Sequence, residues 1–214
     1  MKISTIPFRV TFVCGVFILA CSLLPIPNTN VNIPPTFTPI PEMPPEQPVE
    51  TGGMGLENEN LLVEIPSGFK VDHQAEQDNV ILSEMVPQNE SVNDWTTLVT
   101  VNIFLGMTNT TPEQYQENMT QLWFNACENS ETYPVADGDE NGYHFVLWQL
   151  FCPLNPSTQK VEYAYMKATQ GNDSFYLVQV AFRHEPSNDE ITQWMQYLKQ
   201  VKVCDSRIPE RACP

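Results

Sequence analysis

Residues 97–126 read TLVTVNIFLGMTNTTPEQYQENMTQLWFNA, and the change of period inside this stretch decides the fold. Thr97, Val99, Val101 and Ile103 alternate with Thr100 and Asn102, the two-residue period of a half-buried strand. The period then lengthens. Thr111-Pro112-Glu113-Gln114 has the form of a helix start: a threonine able to accept from the freed amides, proline where no N–H is needed, and glutamine in capping-box position. Tyr115, Met119, Leu122, Trp123 and Ala126 follow at helical spacing, and the helix is expected to end near Cys127.

Working outward, Leu61 to Ile65 reads as a strand, turned by Pro66-Ser67-Gly68 into Phe69-Lys70-Val71, and Asn79 to Met85 is a second extended run. After the helix, strand patterns return at 132–136, 143–152, 161–169 and 174–183, the last two joined by the turn Gly171-Asn172-Asp173. Ser187 and Glu190 form a second capping box. Ile191, Trp194, Met195, Leu198 and Val201 make a second helical stripe, and Cys204 to Pro214 reads as irregular. The order β-β-β-α-β-β-β-β-α, with turns between strands, predicts an α+β domain: a mainly antiparallel sheet with two packed helices.

With its opening phrase Val63-Glu64-Ile65-Pro66-Ser67-Gly68-Phe69, this order resembles the PsbP-like α/β sandwich over about residues 60–203. The resemblance implies an accessory subunit with a protein partner in a larger envelope complex. Gly171 to Tyr176 and Val203 to Arg207 also resemble segments of uncharacterised proteobacterial envelope proteins, a likeness that brings no activity with it.

The N-terminus speaks to location. Lys2 and Arg9 precede a ten-residue apolar run, Val10 to Leu19, too short to span a bilayer and suited to a cleaved export signal. Ile18-Leu19-Ala20-Cys21 resembles a bacterial lipobox, which implies cleavage before Cys21 and its diacylation, palmitate being one of the chains. Leu19 stands where a small residue is more usual; the competing reading is an ordinary secretory signal cut near Ala20. Two acyl chains anchor a protein stably in a membrane. Ser22 after the cysteine implies, by the same resemblance, the outer membrane of a two-membrane bacterium.

Nine prolines fall between Pro25 and Pro48, and the segment has no helix or strand period, so it reads as a semi-rigid tether. The expected organisation is a signal peptide over 1–20, lipidated cysteine and tether over 21–56, and one domain over 57–214.

Ten Lys and Arg against 26 Asp and Glu, in 214 residues, give a net charge of −16. Such a chain cannot build the basic face that nucleic acid requires. Nine glycines exclude collagen, and 42% hydrophobic residues exclude a wholly disordered chain. Of the six cysteines, Cys14 lies in the signal. In an exported protein Cys127, Cys152, Cys204 and Cys213 read as disulfides; three pairings exist, and proximity favours Cys204 with Cys213, leaving Cys127 for Cys152.

Chemistry-bearing motifs are sparse. Asp137, Asp139 and Asn141 fit the first half of a calcium loop, but Trp148 stands where the twelfth-position glutamate belongs, so an acidic hairpin turn competes with it. His73, assigned to a turn, His144 and His184 have no nucleophile motif beside them, and no phosphate-binding glycine loop occurs. No cofactor is called for. Trp95, following the polar run Asn89 to Asp94, is expected to be exposed and is a candidate partner contact, whereas Trp123 and Trp194 fall on apolar stripes. The favoured function is a non-enzymatic binding or assembly module of the cell envelope. The alternatives are an envelope hydrolase with a dispersed site, and an inhibitor or immunity lipoprotein whose acidity suits a basic toxin.

Overall fold

The structure is a computed structural model and describes residues 56–214. The expected export signal, Cys21 and the expected proline-rich tether fall outside these residues. Twelve elements follow in order: β1 (Glu59–Leu62), β2 (Phe69–Gln77), β3 (Val80–Pro87), β4 (Thr97–Leu105), α1 (Pro112–Ala126), β5 (Glu131–Glu140), β6 (Tyr143–Cys152), β7 (Glu162–Gln170), β8 (Ser174–Phe182), α2 (Asn188–Gln200), β9 (Lys202–Asp205) and a short 3-10 turn at Pro209–Arg211. Seven strands form one antiparallel sheet in the order β2-β3-β4-β8-β7-β6-β5, and β1 pairs with β9 in a separate two-stranded ribbon. The fold is α+β, antiparallel-sheet-dominated, with two helices.

The strand alternation sorts the core into two layers. Leu98, Trp148, Leu150, Phe175 and Leu177 point to one face, where Tyr115, Met119 and Trp123 of α1 cover them. Val99, Val101, Val178, Val180 and Phe182 point to the other, under Trp194 and Leu198 of α2. The two helices therefore pack on opposite faces of the sheet. Both capping boxes form: Thr111 with Gln114, and Ser187 with Glu190, so each helix starts where its local sequence satisfies the freed amides. Helix α1 is the shallower of the two, and its Leu122 and Ala126, placed on the buried stripe by spacing alone, are exposed.

Several boundaries differ from the sequence reading. The strand begun at Phe69 continues to Gln77, so His73 lies in β2 rather than in a turn. Its residues 73–77 are exposed on both faces, which erases the alternation that marks a strand. The opening strand sits at Glu59–Leu62, because the partner that fixes its register is β9, in a tail that reads as irregular. Strand β5 extends to Glu140 and takes the acidic segment into the sheet.

Candidate functional site: an apolar groove beside an open sheet edge

Strands β3 and β4 alternate, so Ile81, Ser83 and Met85 lie beside Val101 and Ile103 on the α2 face. No α2 residue lines the space above this end of the sheet. Val63 and Ile65, in the extended segment after β1, form one wall; Val71 and Gln74 of β2 form the opposite rim. The result is a shallow groove of about 240 Å³ whose only polar lining side chains are Gln74 and Ser83. Ile65 is 55% exposed and Val71 36% exposed, so apolar surface remains in contact with water here.

Polar contacts hold the Val63–Ile65 wall at its middle residue and hold the strand that leads into it. At the start of β1 the Glu59 carboxylate sits against the β7–β8 turn and accepts from the backbone N–H groups of Asn172 (2.5 Å), Asp173 (3.1 Å) and Ser174 (3.2 Å) and from the Tyr176 hydroxyl (3.0 Å). Burial, reinforced by the nearby Glu59 charge, pushes the Tyr176 hydroxyl well above its usual range, so it stays a donor. Within the wall itself, between Val63 and Ile65, the Tyr197 hydroxyl of α2 donates to the Glu64 carbonyl at 2.9 Å. Burial likewise raises Tyr197.

The opposite face of the β2–β3 hairpin is polar. Asp72, at the β-bulge between Val71 and His73, accepts from the Val92 N–H at 2.9 Å and pairs with Lys70 at 2.9 Å. The Lys70 hydrogen bond is the larger cause of its lowered pKa. His73 stands across from Glu84, whose carboxyl is raised by burial.

The residues singled out from sequence fall elsewhere. Cys127 is bonded to Cys152, tying the end of α1 to the end of β6, and Cys204 is bonded to Cys213, closing the C-terminal tail onto β9. Trp95 is corrected: it is only 6% exposed, because the Arg183 guanidinium stacks over its ring at 3.8 Å and the side chain joins the core of the α1 face. Asp137 and Asp139 lie in β5, opposite Val146 and His144, while Asn141 occupies the β5–β6 turn with positive φ and donates to the Val203 carbonyl at 2.9 Å. Among the described residues no group of three or more His, Cys, Asp or Glu is placed to hold a metal ion.

His144 and His184 sit at opposite ends of the sheet. His144 lies between Glu113 (2.5 Å) and Asp139 (3.5 Å), and the Glu113 hydrogen bond chiefly raises its pKa. His184 meets Glu190, the capping carboxylate of α2, at 3.0 Å. A further ionic contact went unread in the sequence: Lys167, buried in β7, donates to Glu140 and to the Leu198 and Val201 carbonyls at the end of α2. Burial lowers its pKa despite the Glu140 contact. None of these groups lines the groove. Sequence alone missed the groove because its walls come from separate segments; the clue was the apolar Val63 and Ile65 continuing past the end of β1.

Comparison with known proteins places the fold in context. A protein-family model matches residues 67–205. The solution structure of cyanobacterial PsbP (CyanoP) from Synechocystis sp. PCC 6803 is similar at 12% identity with a TM-score of 0.43, covering 71% of this chain and 96% of that one. The crystal structure of LpqN, involved in cell envelope biogenesis of Mycobacterium tuberculosis, is similar at 12% identity with a TM-score of 0.41, covering 72% of this chain and 86% of that one. No curated protein matches the sequence.

Proposed function

We propose that this chain, which belongs to the protein family whose model matches residues 67–205, is a lipid-anchored binding or accessory module of a cell-envelope complex and works without catalysis. The observation that carries the reading is the apolar groove between Val63–Ile65 and the β2–β3–β4 end of the sheet. Exposed apolar side chains gathered in a pre-formed concavity, its wall held through Glu59 and the Glu64 carbonyl, are what a binding surface needs. Titratable side chains are engaged elsewhere: His144 with Glu113 and Asp139, and His184 with Glu190.

Location is supported independently. Disulfides persist in oxidising compartments, and this domain has two. The lipobox-like Ile18-Leu19-Ala20-Cys21 supplies the anchor, and the prolines that follow hold the domain away from the bilayer. Ser22 favours outer-membrane delivery where two membranes exist.

Fractionation of cells making the wild-type chain and Cys21→Ser tests the anchor. The wild type should partition with membranes and lose its leader, and globomycin or Cys21→Ser should block that processing. A cleaved, soluble Cys21→Ser product identical to wild type contradicts the anchor. Labelling the groove with a hydrophobic dye tests the surface: Ile65→Asp should reduce dye binding while Leu154→Asp, at an exposed apolar residue elsewhere, should not. Equal loss from both contradicts the assignment.

A further inference from the structure

We infer that the open part of the α1 face, over β3, β4 and β8, binds a neutral, flat, β-linked glycan that carries acetamido groups. This surface lies on the opposite side of the sheet from the groove and does not depend on the groove's partner.

The registers place four polar side chains in one row across adjacent strands. His73 is opposite Glu84, Glu84 is opposite Thr100, and Thr100 is opposite Gln179. Asn102 stands two residues from Thr100 on the same face, beside Leu82. Strands β4 and β8 lie inside the sheet, and on the α2 face they carry the apolar Val99, Val101, Val178 and Val180. Their polar side chains on the α1 face break that pattern, and such breaks gather at functional surfaces.

Helix α1 lies against β6 and β7, and Glu84, Thr100, Asn102 and Gln179 remain partly exposed beyond it. Among the described residues, none of these four side chains, nor that of His73, has a hydrogen-bond partner, and none is sealed from solvent. Their donors and acceptors are therefore open to a ligand. Burial raises the Glu84 carboxyl, so a hydroxyl donating to it would offset that cost.

The row selects by hydrogen bonding more than by charge. Lys70 is paired with Asp72, and Glu84 faces His73, so neither sign dominates locally. The chain's acid excess disfavours an anionic ligand. The Thr100 hydroxyl and the Asn102 and Gln179 carboxamides each donate and accept. Sugar hydroxyls do the same, and an acetamido group pairs with a carboxamide through its N–H and C=O together. An extended peptide matches less well, because it offers these groups at its edges, whereas a sheet face presents side chains. Leu82 and Phe104, both partly exposed on this face, supply apolar surface for the C–H faces of the rings. Four strands give the row a length of about 14 Å, room for a short run of sugar rings. A β-linked chain is extended enough to follow it, and a helical α-linked chain is not.

The test uses the full chain, purified from membranes in a detergent without a sugar headgroup. Three probes are compared: chitohexaose, its fully deacetylated cationic form, and maltohexaose. Chitohexaose should bind and should shift the side-chain NH2 signals of Asn102 and Gln179 in NMR spectra, but not that of Asn155, which is bonded to Glu162. The other two sugars should bind about fivefold more weakly or worse, having lost the acetamido bonds or the flat shape. Asn102→Ala and Gln179→Ala should each weaken chitohexaose about fivefold, the loss of one hydrogen bond. If either variant fails to fold, the other and Thr100→Val, which keeps the side-chain shape, decide. No binding of chitohexaose, equal or tighter binding of either control sugar, or binding unchanged in the folded variants would overturn the proposal. The hydrophobic-dye experiment above reads the groove on the other face, so either surface can fail while the other stands.

Discussion

Gly171→Ala is the sharpest structural prediction, because one methyl group should dislodge the contact that holds β1 and, beyond it, the groove wall. A Cβ at Gly171 would lie 2.2 Å from Glu59 Oε1, 2.7 Å from its Cδ and 2.8 Å from the Ser174 carbonyl oxygen. The glycine is required by close approach, since its φ lies outside the left-handed region. To make room the carboxylate must leave the three amides and the Tyr176 hydroxyl. The amides of Asn172 and Asp173 are exposed and would turn to water at little cost, whereas the bonds from Ser174 and Tyr176 are partly buried. Two charge-assisted bonds, discounted for partial solvation, set the loss at about 2 kcal/mol. In a domain of this size that lowers Tm by about 4–8 °C. Urea and thermal unfolding of four proteins (wild type, Gly171→Ala, Glu59→Ala and the double variant) would measure it. Once Glu59 is gone the methyl should lose about half or more of its effect, the remainder coming from Ser174. A Gly171→Ala protein as stable as wild type, or a penalty undiminished in the Glu59→Ala background, would refute the reasoning.

Three further outcomes are expected. Replacing Cys127 and Cys152 by serine should cost about 3.5 kcal/mol, and replacing Cys204 and Cys213 about 2.6 kcal/mol, by loop entropy for separations of 25 and 9 residues; urea midpoints of the two double variants should keep that order. Proton NMR should find His144 titrating above its ordinary value and Glu113→Gln bringing it back down. Because the folded His144 pKa is raised and the Glu113 pKa lowered, the pair stabilises the fold only between them: its contribution fades as pH rises through the raised histidine value or falls through the depressed carboxyl value. Arg207, hydrogen-bonded to Asp205, holds that carboxyl at about 2, so Asp205 should contribute stability above about pH 4 that is lost as pH falls toward 2, and Asp205→Asn should flatten this part of an acid-denaturation curve.

Local chemistry was legible in the sequence and distant pairing was not. Both capping boxes act within four residues, so Thr111–Gln114 and Ser187–Glu190 announce their helices directly. The inner strands β4 and β8 are sandwiched between neighbours and declare themselves by alternation or apolar content. Strand β2 escaped because His73 to Gln77 is wet on both faces, and β9 because four residues carry no period and owe their conformation to β1, well over a hundred residues earlier. Trp95 misled for a related reason: its neighbours in sequence are polar, but its neighbour in space is the Arg183 guanidinium. The groove has the same origin, since Ile65, Val71 and Ile103 meet only once the sheet is built.

Site-specific photocrosslinking in intact cells tests the central claim most directly. A photoreactive phenylalanine at Val71, on the groove rim, is compared with one at Val135, an exposed apolar position on the β5 edge. The account predicts a discrete protein adduct from Val71 that Ile65→Asp diminishes, and none from Val135. An adduct from Val135 with none from Val71 would contradict it.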